Sequence, residues 1–133
     1  KDKLMQMLLI AVLIGGVAVI FSQNKGAASR TSVEVTIPRL TELAKEGETL
    51  FNANCASCHG VNASGTENGP PLIHKIYEPS HHGDAAFYMA PKRGVRAHHW
   101  GFGNMPPVAG ITDQHTSRIV RYVRELQRAN GIL

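Results

Sequence analysis

Eighteen consecutive residues without one Asp, Glu, Lys or Arg, Leu4 to Phe21, constrain this 133-residue chain more than any other feature. The run reads LMQMLLIAVLIGGVAVIF, interrupted only by Gln6 and the pair Gly15–Gly16. Coiled as a helix it covers about 27 Å, the core of a thin bilayer, and Ser22 and Gln23 can extend it. A cleaved signal peptide is the alternative, with Gly26 and Ala28 as small residues ahead of a cut, but its apolar core is usually ~7–15 residues. The length therefore predicts a retained single-pass transmembrane helix, an anchor over residues 1–22. Lys1 and Lys3 precede it and Lys25 and Arg30 follow it, so flanking charge barely decides its orientation.

The anchor also explains the composition. Charged residues are 18% of the chain, below the roughly 25% of a soluble domain; outside the run they number 24 in 115, a near-normal share. Disorder, collagen and low complexity are excluded. Two cysteines cannot build a multi-bridge secreted scaffold. The net charge of +4 lies mostly before residue 40, and the remainder carries nine Lys/Arg against eight Asp/Glu. Basicity is weak support for nucleic-acid binding, and no nucleic-acid partner is expected.

Residues 23–39 are small and polar, punctuated by Pro38, and read as a linker. Val33, Val35 and Ile37 alternate with Glu34 and Thr36, a strand-like pattern that reads better as an extended tether than as a paired strand. Residues 40–133 carry helical signals. A first helix over 40–54 has Thr41 as N-cap and Leu43, Leu50 and Phe51 as its apolar face. A second, 84–93, is ended or kinked near Pro91 and closed by Gly94. A third starts after Thr112 and stops at Asn130–Gly131, with Ile119, Val120, Tyr122, Val123 and Leu126 on one side and Arg121, Arg124 and Arg128 opposite. No strand pair is expected after Pro38. The expectation is a small all-α domain, so poor in apolar residues that a cofactor is needed to fill its centre.

Cys55-Ala56-Ser57-Cys58-His59 supplies that cofactor's signature. C-x-x-C-H is the attachment pattern of c-type haem: two thiols about one helical turn apart each form a thioether with a vinyl group, and the next residue places an imidazole under the iron. A zinc site wants two more clustered ligands, a thioredoxin-type dithiol wants a βαβ context, and neither is present. A five-residue string also arises by chance, so its surroundings matter.

Gly47 and Phe51 precede it as G-x-x-x-F-x-x-x-C, Gly60 follows, and Gly69-Pro70-Pro71-Leu72 comes ten residues later. Asn104-Met105-Pro106-Pro107 then precedes a C-terminal helix bearing Tyr122. In this order residues 40–133 resemble the class I c-type cytochromes. The resemblance implies one covalent haem c, with Cys55 and Cys58 as attachment points and His59 and Met105 as axial ligands to its iron. It implies the Pro70 carbonyl as acceptor for the His59 ring N–H, Leu72 beside the cofactor, and Trp100 as a donor to a haem propionate, although plain core packing explains Trp100 equally well. The helices of Phe51 and Tyr122 are expected to cross beside the haem.

The residues agree on the sixth ligand. Met105 sits before two prolines that stiffen an extended loop, whereas Met89 lies in a helix, where core packing is its expected job. Two strong axial ligands leave no open position, so the expected chemistry is one-electron transfer and not catalysis. The pairs His81-His82 and His98-His99, with His74 and His115, suggest a second metal only weakly, because neighbouring histidines generally point apart. Lys92, Arg93 and Arg96, with the arginine stripe of the last helix, suit an acidic partner, and a solvated helix face explains that stripe equally well. The expected protein is a membrane-tethered electron carrier on the periplasmic side of a bacterial inner membrane, serving respiratory or photosynthetic complexes. A permanent haem subunit of one such complex is the alternative.

Overall fold

The structure is a computed structural model that describes Lys3 and residues 32–133. The expected anchor, Leu4–Phe21, lies outside the described residues; among those described, no helix is long and apolar enough to cross a membrane. Among the described residues four α-helices follow one another: α1 Glu42–Asn54, α2 Ala56–His59, α3 Asp84–Arg93 and α4 Asp113–Ala129. Single 3-10 turns at Val61–Ala63 and Lys75–Tyr77 lie between α2 and α3. No strand forms among the described residues, and an isolated antiparallel bridge joins Val95 to Met105.

Thr41 caps α1, accepting weakly from the Ala44 N–H at 3.4 Å, while its own N–H and hydroxyl bond the Glu125 carboxylate at 3.0 and 2.7 Å. Burial works to raise the Glu125 pKa, but the two Thr41 bonds and Arg121 prevail and hold it below the usual range. One carboxylate on α4 thus completes the N-terminus of α1.

The two helices cross at Gly47, where a Cβ would collide with the Arg118 carbonyl oxygen. One turn on, the rings of Phe51 and Tyr122 meet with centroids 5.6 Å apart, and both side chains are fully buried. The close crossing corrects the expected face of α1. It buries Ala44, Gly47 and Phe51, and Leu43 is left 45% exposed. At Gly47 only the absence of a side chain lets the two backbones approach so closely, and Phe51 fills the space one turn on.

Helix α3 runs through Pro91 to Arg93 and ends on Gly94, whose N–H bonds the Ala90 carbonyl. The Pro91 carbonyl accepts from the Val108 N–H at 2.8 Å, tying the Met105 loop to the helix. Helix α4 buries Ile119, Val120, Tyr122, Val123 and Leu126 as expected.

Arg124 is a second correction. It does not share a solvated stripe with Arg121 and Arg128 but is 6% exposed, its aliphatic stem covered and its guanidinium engaged on all three nitrogens. It donates to Asp84 Oδ1 (2.8 Å), to the carbonyls of Tyr77 (2.8 Å) and His82 (2.6 Å), and to Gln127 Oε1 (2.6 Å). It also lies 4.7 Å above the centre of the Phe87 ring. α4 packs on α1 along one side and α3 along another, so its buried face is wider than one apolar stripe.

Residues 33–36 pair no strand but are held on the domain: the Val33 N–H bonds the Ser64 carbonyl, and Asn130 bonds both backbone groups of Thr36. Val33 and Val35 pack against the core, while Ile37 is 55% exposed.

Candidate functional site

Cys55 ends α1 and opens α2: its N–H bonds the Phe51 carbonyl, and its own carbonyl accepts from Cys58 and His59. This continuous turn sets the two thiols three residues apart and carries His59 onward. Cys55 is half-buried and Cys58 exposed. Burial first, and the neighbouring Cys58 second, push the Cys55 thiol up to about 11.

The His59 Nδ1–H donates to the Pro70 carbonyl at 2.9 Å, because a carbonyl only accepts. Burial lowers the His59 pKa and the Pro70 bond partly opposes it, which favours the neutral ring; with Nδ1–H engaged by Pro70, Nε2 is then the lone-pair nitrogen. Pro70 is in reach because Gly69 packs on the α2 backbone: a Cβ there would come 2.8 Å from the Cys58 carbonyl oxygen. Thr66 bridges the same place, its hydroxyl donating to Cys58 O at 2.5 Å and its N–H to Gly69 O at 3.0 Å.

Across from α2 opens a cavity of about 440 Å³, in the range of cofactor pockets. Cys55, His59, Pro70, Leu72, Trp100 and Met105 all line it, so the fold gathers six of the seven expected site residues, drawn from positions 55 to 105. Cys58, the seventh, is on the exposed side of α2. Met105 is placed by backbone: its N–H and carbonyl exchange two 2.9 Å bonds with Val95. Met89 is no core residue, contrary to expectation; it is 39% exposed at the same cavity.

Trp100 Nε1 is buried without a hydrogen-bond partner. The Tyr77 hydroxyl interacts with Trp100, yet falls short of proper hydrogen-bond geometry. A buried N–H beside a cavity is in position to donate to a group bound there.

The histidines gather rather than diverge. His81 and His82 rings are 4.7 Å apart, His98 and His99 4.2 Å, and both pairs come together across the loop. Partial desolvation first, then repulsion from His98, His82 and His81, lowers the His99 pKa. Arg124, Gln127 and Gly94 were not singled out as site supports by sequence. Gln127, one residue beyond the apolar set Ile119, Val120, Tyr122, Val123 and Leu126, and Arg124, three residues before it, were the available signal.

An all-α fold whose cavity holds a tautomer-locked histidine, a thiol and a thioether suits a covalently held haem. The chain belongs to the cytochrome c family, whose description, Cytochrome c, matches residues 44–127. The cofactor of that family is covalent haem c, and Cys55 and Cys58 of C-x-x-C-H are present to receive it. Over 85 residues, 62% of this chain, it is 34% identical to the cbb3-type cytochrome c oxidase subunit CcoP of Rubrivivax gelatinosus. The match covers 26% of that protein, so the chain spans about a quarter of the relative's length. No solved structure matches significantly. The family role is electron transfer.

Proposed function

We propose that the chain is a membrane-tethered one-electron carrier with His59 and Met105 as the two axial ligands of one haem c. The observation that carries this reading is that a neutral His59 with Nε2 available and a backbone-pinned Met105 line one cavity. Haem c supplies reversible ferric–ferrous exchange. Cys55 and Cys58 hold it by thioethers, and Pro70 fixes the imidazole that binds it. The Met105 thioether, a soft ligand, favours the ferrous state and raises the potential relative to two nitrogen ligands. Leu72 and the other apolar walls exclude water, and Trp100 Nε1 meets a propionate. Exposed Cys58 marks the edge through which electrons pass.

The apolar run Leu4–Phe21 supports a single-pass anchor in a bacterial inner membrane, and covalent haem attachment supports the periplasmic side for the haem domain, between respiratory or photosynthetic complexes. A permanent subunit of one membrane redox complex is the second reading, favoured by the likeness to an oxidase subunit. Mild-detergent purification separates them: a shuttle comes away alone, a subunit co-purifies stoichiometrically.

The ligand assignment is tested by Met105→Ala. It is expected to lower the potential, abolish the methionine–iron charge-transfer band and admit carbon monoxide. Met89→Leu, close to volume-conserving, is expected to leave all three unchanged. The opposite pattern overturns the assignment.

A further inference from the structure

We propose that His81, His82 and His99 form a binding site for a zinc-type divalent ion at the mouth of the haem cavity. Their ligand-capable nitrogens lie within 4.8 Å of one another. Nε2 of His81 and Nε2 of His99 are 3.3 Å apart. Two nitrogens on a tetrahedral zinc at 2.0–2.1 Å stand roughly 3.3–3.4 Å apart, so this pair already has the spacing of one tetrahedral edge.

His82 is prepared in the manner of a metal ligand. Its Nδ1–H donates to the Ile76 carbonyl at 2.6 Å, leaving Nε2 as the lone-pair nitrogen. Its own carbonyl is held by Arg124 at 2.6 Å, and the charge of that guanidinium is answered by Asp84. The third position is therefore built on the buried polar network of α4, not on a loose loop. His98 donates its Nδ1–H to the Arg96 carbonyl at 2.7 Å and packs beside His99 outside the three-nitrogen set. Three imidazoles with His81 and His99 exposed leave the fourth position to water, the arrangement of an open zinc site. No sequence motif announces it, because two of the ligands are separated from the third by the whole of α3.

The rival explanation of the 3.3 Å contact is a metal-free imidazole–imidazole hydrogen bond. A second rival is that one of these histidines, and not Met105, ligates the haem, since His82 and His99 line its cavity.

The test uses the haem-loaded full chain without a histidine tag, titrated with Zn2+ against a chromophoric chelator. One equivalent is expected to bind. His81→Gln and His99→Gln are each expected to weaken it at least about tenfold, and His115→Gln to leave it unchanged. Zn2+ is also expected to raise the Tm of the parent but not of the two cluster variants. The haem spectrum of each variant serves as the folding control and is expected to keep its methionine band. Absence of stoichiometric binding, or binding indifferent to both cluster substitutions, overturns the site. Loss of the native haem ligation in His99→Gln or His82→Gln, with no metal bound by the parent, overturns it in favour of haem ligation.

Discussion

Gly94 and Met105 approach so closely that a Cβ on Gly94 would lie 2.5 Å from the Met105 carbonyl oxygen. Gly94 has φ +73° and ψ 179°, a conformation open essentially to glycine alone, and it closes α3. Its neighbour Val95 then makes both backbone bonds to Met105. The helix stop and the position of the thioether are one device.

Gly94→Ala is accordingly expected to cost about 1–3 kcal/mol of stability from backbone strain. It is also expected to weaken the methionine–iron band, because the crowded carbonyl belongs to the ligand residue. Denaturant titration and the ferric spectrum measure the two effects; a stability loss with an intact band would separate them.

Arg124→Met removes the donor to two backbone carbonyls and to Gln127 while retaining much of the buried stem. Orphaned acceptors make a loss of roughly 2–3 kcal/mol the expected outcome by denaturant titration. Asp84 is 63% exposed, so Asp84→Asn is expected to cost no more than about 1 kcal/mol. Equal losses in the two variants would place the weight on the ion pair instead.

Tyr122 is fully buried, its hydroxyl donating to Asn62 Oδ1 at 3.2 Å, and burial, with Glu48 adding to it, pushes the phenol up to about 12 from 10. The folded state prefers the neutral phenol. Its contribution is complete below pH 10, where the unfolded side chain is also neutral, and falls as pH rises from 10 towards 12. At most roughly 2–3 kcal/mol is at stake. Tyr122→Phe is expected to be less stable at neutral pH for want of one hydrogen bond, and to show a shallower loss between pH 10 and 12. Parallel pH–stability curves for parent and variant would refute this.

Removing residues 1–25 is expected to yield a soluble protein with an unchanged haem spectrum, since residues 33–36 remain pinned to the domain. Electron delivery in membranes is expected to fall sharply, because a tether of short flexible type supplies an effective concentration near the mM range. Full flux at native abundance would mean that Leu4–Phe21 has another purpose.

Haem c is expected to stay on the polypeptide through acidified-acetone extraction. Cys55→Ala with Cys58→Ala is expected to abolish the stable holoprotein, because the cavity of about 440 Å³ would lack its filling.

What the sequence determined by itself was whatever depends on neighbours along the chain. Thr41 and Thr112 cap their helices, Gly94 stops α3, and C-x-x-C-H rides one helical turn because capping, glycine conformation and helical pitch are local. Tertiary structure decided the rest. Leu43 has the hydropathy of a core residue yet is exposed, because the crossing at Gly47 turns the face of Ala44 and Phe51 inward. Arg124 has the charge of a surface residue yet is buried, because two carbonyls from a distant loop, Asp84 and Gln127 of its own helix converge on it. His81 and His99 meet only after α3 turns the chain back, and no periodicity encodes a contact made across an intervening helix.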